Sequence, residues 1–381
     1  MESKTEIENR LVESIKKREN VTKERMEQAE KINFGATPNQ VISTDEFGFI
    51  KKDTEHKELT EEEKEIKRKE MLKINARIEK WNVMIEQISS IPNSELLKRS
   101  KLKSRTRKGI PDSLRGFIWQ TFADVNQFYK IDLYKQLCES KDIDEETETV
   151  ILKDLDRTFP HIYHFKDKYG TGQRSLYRVL SSYSKYNKST GYVQGMGFIS
   201  ALLLTYMNEE MSFFMLHSLM KKKEYNMEGF YLDGFPLLKP TFYVLLSLMK
   251  KHLPKIYETF QKYDMMPSMY ASEWFITLFT RELDFKILVR IFDVFLLEGF
   301  KVIYRFGLGF LKLKEEKLVN AKNGLIGLMT EIKELLNDVD VEELFKVSFG
   351  FSISREYIKK CEEEFNNVKD NKEHEIMKML F

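Results

Sequence analysis

The chain has 381 residues, 42% of them hydrophobic and 32% charged, and its 62 basic and 60 acidic side chains leave a formal net charge of +2. That balance supports a sizeable core under a charged surface and creates no global field that would demand nucleic acid. Two cysteines, Cys138 and Cys361, and six histidines without ligand spacing exclude a disulfide framework and a cysteine-rich metal site, so no metal and no cofactor of its own is expected.

Residues 1–33 are rich in lysine and glutamate with a thin apolar stripe at Leu11 and Ile15. They read either as a solvated helix or disordered arm, or as a partner-binding helix. No apolar leader opens the chain, no prenylation cysteine closes it, and the longest apolar run, residues 198–207, falls short of the ~18 residues of a membrane span. A reduced, cytoplasmic monomer is expected, with at most peripheral recruitment to endomembranes. Residues 35–48 read as a linker. Residues 44–50 interrupt it with Phe47, Phe49 and Ile50, a segment expected to dock on the main domain.

From residue 59 to 89 the pattern is helical. Thr60 and Glu63 form a capping box, and Ile74, Ile78, Trp81, Ile85 and Ile88 repeat at spacings of four and three, an apolar seam expected to pack on the same chain. Residues 98–108 carry seven basic and no acidic side chains. An anionic membrane or nucleic acid would suit such a run, but no aromatic interleaves the charges and a solvated approach to the main domain is the expectation. A turn at Gly109-Ile110-Pro111-Asp112 leads into a helix over 113–124 that should bury Leu114, Phe117, Ile118 and Phe122.

Ile151, Asp154 and Arg157 are spaced by about one helical turn each, which places them near one stripe of a helix expected to end at Arg157. Thr158-Phe159-Pro160 stops that helix, because a residue before proline is pushed out of the α region. Residues 161–172 read as a loop; their GTGQRS continuation lacks the P-loop pattern, so the chain should not bind nucleotide itself. A helix over 175–186 should bury Leu176, Val179, Leu180 and Tyr183. Residues 187–191 then turn the chain into Tyr192-Val193-Gln194-Gly195, a polar side chain bracketed by glycines ahead of the apolar run. Further helices are expected over 210–222, 240–252, 256–263, 272–280, 285–297, 302–313 and 323–337, with His217 a core histidine. No alternating strand signal occurs, and the fold expected is all-α.

The two stretches resemble the IxxDxxR and YxQ motifs of the TBC-domain Rab GTPase-activating proteins. Gly109-Ile110-Pro111 with Leu114, Arg115 and Trp119 resembles that family's opening motif. Leu176-Tyr177-Arg178-Val179-Leu180, Tyr270-Ala271 with Trp274-Phe275, Arg290-Ile291-Phe292-Asp293 and Glu298-Gly299 continue the likeness in order from about residue 108 to 318. The chain departs from the pattern at Phe214 and Phe292, where tryptophan is usual, at Gly197, and in the absence of a proline after Asn187.

The resemblance implies a large multi-helix TBC-type domain over 105–318. Around it would lie a charged arm and linker over 1–55, an amphipathic helical extension over 56–100, and C-terminal helices with a charged tail over 319–381. It implies a GTPase activator that lends a Rab-type GTPase two catalytic side chains, Arg157 and Gln194, and is not a stand-alone enzyme. Asp154, Ile151, Tyr192 and Gly195 would support them, and Arg115 and Trp119 would be scaffold. GTP and Mg²⁺ would belong to the partner. The chemistry fits, because phosphoryl transfer is catalysed mainly by positioning and charge stabilisation. Read without the resemblance, Asp154 and Arg157 are an i,i+3 ion pair and Gln194 a buried amide serving a turn. A catalytically silent scaffold for a small GTPase or a membrane surface is the alternative function.

Overall fold

The computed structural model describes residues 45, 47–49, 60–88, 93–96 and 98–380. In chain order the helices are α1 (Glu61–Ile88), α2 (Asn93–Leu96), α3 (Ser100–Arg107), α4 (Asp112–Ala123), α5 (Leu133–Glu139) and α6 (Glu145–Leu155). Next come α7 (Thr171–Tyr186), α8 (Met196–Leu204), α9 (Glu209–Lys221), α10 (Leu238–His252), α11 (Pro254–Lys262) and α12 (Ser272–Ile276). The last are α13 (Phe285–Glu298), α14 (Lys301–Leu313), α15 (Glu315–Val319), α16 (Gly324–Lys333), α17 (Val341–Gly350) and α18 (Arg355–Leu380). Among the described residues the one β feature is an isolated antiparallel bridge, Phe49 with Ile162, so the all-α expectation holds. The chain divides into two compact units, one comprising residues 1–58 and 132–210, the other 59–131 and 211–381. The sequence did not suggest this division. The arm, residues 1–33, and most of the linker lie outside the described residues.

In the first unit, α7 and α8 form the core. Leu176, Val179, Leu180 and Tyr183 are buried as expected, and α8 is buried on every side from Met196 to Leu203. Full burial of each large aliphatic side chain contributes about 1.5–3 kcal/mol, which explains why this run is apolar without being long enough to span a bilayer. α7 begins at Thr171, so the GTGQRS segment is its first turn and not a loop. Gln173 fixes that turn, accepting from the Tyr169 amide at 2.9 Å and donating to the Phe165 carbonyl at 3.3 Å. Glu209 gathers Arg178 at 2.6 and 2.8 Å, Ser175 at 2.8 Å and Tyr134 at 2.8 Å, tying α5 to α7. Burial would raise its pKa, but these donors hold the carboxylate below its usual range. The docking segment behaves as expected where it is described: the Tyr163 amide donates to the Gly48 carbonyl at 2.7 Å, while Asp45 accepts from the Phe47 and Phe49 amides.

In the second unit the capping box at α1 is present, with the Thr60 amide donating to Glu63 at 2.8 Å and the Glu63 amide to the Thr60 hydroxyl at 3.3 Å. The apolar seam is buried only toward its end, at Trp81 and Ile88, with Met84 buried beside it; Ile78 and Ile85 are half-buried, and Ile74 remains 44% exposed because nothing described covers the first half of α1. The basic run is not a solvated approach. Residues 100–107 form α3, whose Leu102 and Thr106 are buried. Arg107 pairs with the buried Glu298 at 2.7 Å and lies over the Phe349 ring at 4.1 Å.

α4 departs in part from its expected face. Ile118 and Phe122 are buried as expected, but Phe117 is exposed and Leu114 half-buried, and Arg115 and Trp119 turn inward because a buried carboxylate waits for Arg115. α12 ends at Ile276, short of the expected Thr280, since the buried Leu278 and Phe279 take positive φ angles of 53° and 63°. His217 is a core histidine, edge-on to Phe128 at 4.9 Å, and burial pushes its pKa down to about 4.

Candidate functional site

The residues singled out in the sequence fall into two groups. Ile151, Asp154, Arg157, Tyr192, Gln194 and Gly195 all belong to the first unit, and one carboxylate joins the two motifs that carry them. Asp154, in the last turn of α6 and only 5% exposed, accepts the Tyr192 hydroxyl at 2.6 Å on Oδ2 and pairs through Oδ1 with Arg157 Nη2. Both oxygens of a buried carboxylate are thus committed, so the guanidinium and the 192–195 turn are fixed to a single point. Charge-assisted bonds of this kind are roughly twice as strong as neutral ones. Ile151, one turn earlier, is fully buried and anchors that turn of α6.

Arg157 lies just beyond the helix and not in its last turn, because α6 stops at Leu155. The Thr158 hydroxyl donates to the Asp154 carbonyl at 2.7 Å, occupying an acceptor the helix would otherwise use. Phe159, ahead of Pro160, takes φ of +46°, a region rarely used by bulky residues. Its ring meets Phe198 of α8 edge-on at 5.9 Å. Arg157 is therefore carried on a short, fixed corner with 44% of its side chain exposed. Nη2 holds Asp154, one of the five N–H donor positions that a guanidinium fork carries.

The second motif is held by a different device. Asn187 accepts the Gly191 amide on its carbonyl at 2.8 Å, and its side chain donates to Tyr183 at 3.1 Å and to Thr190 at 3.0 Å. Ser189 donates back to Asn187 at 2.7 Å. Where the related pattern has a proline to preset the turn, this chain holds it by side-chain hydrogen bonds. Gly195, at the N-cap of α8, has φ of 109°, which only glycine adopts without strain. Gln194 is exposed, and its amide has no hydrogen bond among the described residues, so it is not a buried amide serving the turn.

Sequence reasoning missed Thr158 as a partner of Asp154 and the reason for Gly197. A Cβ at 197 would lie 3.2 Å from the Tyr192 hydroxyl and 3.4 Å from Thr158 Oγ1. The glycine leaves room for the Tyr192–Asp154 bond. Nothing in linear spacing pairs Tyr192 with Asp154, which are 38 residues apart.

Arg115 and Trp119 belong to the other unit and converge elsewhere. Arg115 Nε donates to Asp293 Oδ1 at 3.0 Å, Trp119 Nε1 to the same oxygen at 2.8 Å, and the Ile110 amide to Oδ2 at 3.0 Å. Arg115 also donates to the Ile110 carbonyl at 2.7 Å and pairs with Asp112. Burial pushes the Asp293 carboxyl upward, and Arg115 with the two N–H donors opposes that push. Three stretches that looked separate in sequence, at Ile110, at Arg115 with Trp119 and at Asp293, are one buried polar node. Among the described residues no group of histidine, cysteine or carboxylate side chains could hold a metal ion.

The sequence profile described as the Rab-GTPase-TBC domain matches residues 112–319, more than half of the chain. The chain belongs to the Rab-GTPase-TBC domain family. Among relatives, the human ecotropic viral integration site 5 protein homolog is 29% identical over 275 residues, covering 71% of this chain and 33% of that protein. The Rab GTPase-activating protein tbc-11 of Caenorhabditis elegans is 34% identical over 247 residues, covering 61% of this chain and 25% of that one. The crystal structure of the Chlamydomonas flagellar RabGAP TBC domain superposes with a TM-score of 0.63 at 25% identity, covering 81% of this chain and 99% of its own. The chain thus spans a quarter to a third of the length of these two curated relatives and nearly all of the solved TBC domain.

Proposed function

We propose that this TBC-family chain is a GTPase-activating protein for a Rab-type small GTPase, supplying Arg157 and Gln194 in trans. The observation that carries this reading is the Tyr192–Asp154–Arg157 chain of contacts beside the exposed Gln194. It presents a guanidinium and an amide on two fixed corners of one unit. In phosphoryl transfer, charge spreads over the transferred oxygens, so a positioned planar cation lowers the barrier and an amide can orient the attacking water. The nucleotide and its Mg²⁺ are the partner's, and this chain contributes no cofactor. Asp154 acts as the group that aims Arg157, and Tyr192 as the group that aims Asp154.

A single-turnover GTP-hydrolysis assay across a panel of purified Rab GTPases tests the reading. At least one should be accelerated, and acceleration of none would overturn it. Against a responsive Rab, Tyr192→Phe should lower the stimulated rate about tenfold, since a hydrogen bond to a charged group is worth about 1.5–3 kcal/mol and only part of that concerns aim. An unchanged rate in that variant would remove Tyr192 from the positioning role.

A further inference from the structure

A cleft of about 1010 Å³ in the second unit lies between α1 and α3, and its lining includes none of the residues used above as a finger or its support. Each wall carries a basic stripe at the spacing of successive helical turns: Lys73, Arg77 and Lys80 on α1, and Lys101 and Arg105 on α3 with Lys108 just beyond it. Intervals of four and three put each trio on one helix face. Among the described residues none of the six has a carboxylate partner. The cleft's one acidic lining residue, Glu342, is engaged by Arg290 at 3.0 Å. Ser100 and Ser104, a turn apart on α3, add hydroxyls to the lining.

Like charges gathered on a concave surface repel one another and disfavour the compact state unless an anion neutralises them. The basic run at 98–108 therefore divides in two. Arg107 is consumed by the buried Glu298, while Lys101, Arg105 and Lys108 line the cleft, Arg105 donating to the Lys80 carbonyl. Each stripe extends about 10 Å along its helix, and the two face one another. That geometry suits a compact ligand with several closely spaced phosphates. An extended nucleic acid would need the charges to continue past the cleft and bases to stack on exposed rings, yet Trp81, the one aromatic lining it, is buried and donates to the Gly109 carbonyl at 3.3 Å.

We propose that the cleft between α1 and α3 is a binding site for a multiply phosphorylated anion, either free in solution or carried as a lipid headgroup. The site is independent of the GTPase-activating reading. It would tether or regulate the chain without touching the finger residues.

The test uses the full chain and two probes: inorganic tripolyphosphate followed by titration calorimetry, and sedimentation with phosphatidylcholine vesicles with and without phosphatidylinositol bisphosphate. The site variant is Lys73→Gln, Lys101→Gln and Lys108→Gln together, three exposed side chains whose loss leaves the core intact. Lys255→Gln with Lys317→Gln removes two charges outside the cleft and serves as the per-charge control. Binding to either probe should weaken on the order of 100-fold in the site variant, at roughly fivefold per lysine, and stay near wild type in the control. Binding to tripolyphosphate alone identifies a soluble ligand, and binding only to the phosphoinositide vesicles identifies a headgroup. Binding to neither probe at millimolar concentration, or equal losses per charge in both variants, overturns the proposal. Stimulated GTP hydrolysis, where a responsive Rab has been found, should be unaltered by the site variant.

Discussion

Arg157→Ala should abolish nearly all acceleration of GTP hydrolysis while leaving association with the GTPase within a few-fold of wild type. An arginine supplied in trans is typically worth ~10³ to 10⁵ in rate, or roughly 4–7 kcal/mol of transition-state stabilisation. That energy is realised only as charge develops, so it belongs to the rate and not to affinity. Arg157→Lys should not restore it: a lysine could keep the pairing with Asp154, but a point charge cannot hold Asp154 and offer a planar fork to phosphoryl oxygens at once. Gln194→Ala should cost less, because the GTPase retains polar groups able to order water, and because Gln194 makes no internal bond whose loss would disturb the turn. Single-turnover hydrolysis by the responsive Rab, alongside binding to a transition-state mimic of its nucleotide, separates the two effects. Full acceleration by Arg157→Ala would eliminate the two-finger mechanism and leave a GTPase-binding scaffold.

How much of this was legible in the sequence depends on whether the cause is local. The capping box at Thr60, the burial of Leu176, Val179, Leu180 and Tyr183, and the turn at Asn187 follow from neighbours within four residues, and they were readable. The end of α6 was misplaced by two residues because the Thr158 hydroxyl takes over the Asp154 carbonyl, a contact that no spacing rule distinguishes from continued helix. The outward turn of Phe117 and inward turn of Arg115 reverse the ordinary ranking of apolar over charged. Only knowledge that Asp293, 178 residues away, lies opposite could have corrected that. Arg157 and Gln194 were singled out by pattern, but the bond that joins their two motifs was not, since hydrogen bonds between distant segments leave no periodicity. The basic cleft was half visible. The stripe on α3 could be counted, whereas its counterpart on α1 was hidden inside a helix that looked merely amphipathic.

The node around Asp293 sets up the second large effect, one of stability. In Asp293→Ala, Arg115 is left 3% exposed with Asp112 as its remaining carboxylate, and the Trp119 indole and Ile110 amide lose their acceptor. Breaking a buried pair by removing one partner costs about 3–5 kcal/mol, because the surviving charge stays desolvated. At roughly 2–4 °C per kcal/mol for a domain of this size, the melting midpoint of the affected unit should fall by about 6–20 °C. Removing both charges with Arg115→Met and Asp293→Leu should recover part of the loss, since no uncompensated ion remains and the added methylenes can pack against Phe292, whose ring lies 4.8 Å from Trp119. Recovery should stay incomplete, because the indole and the amide still lack an acceptor. Thermal unfolding followed by circular dichroism at the helical minimum reads all three variants. A double variant less stable than Asp293→Ala alone, or an Asp293→Ala shift below about 2 °C, would show that Asp293 does not organise this end of the unit.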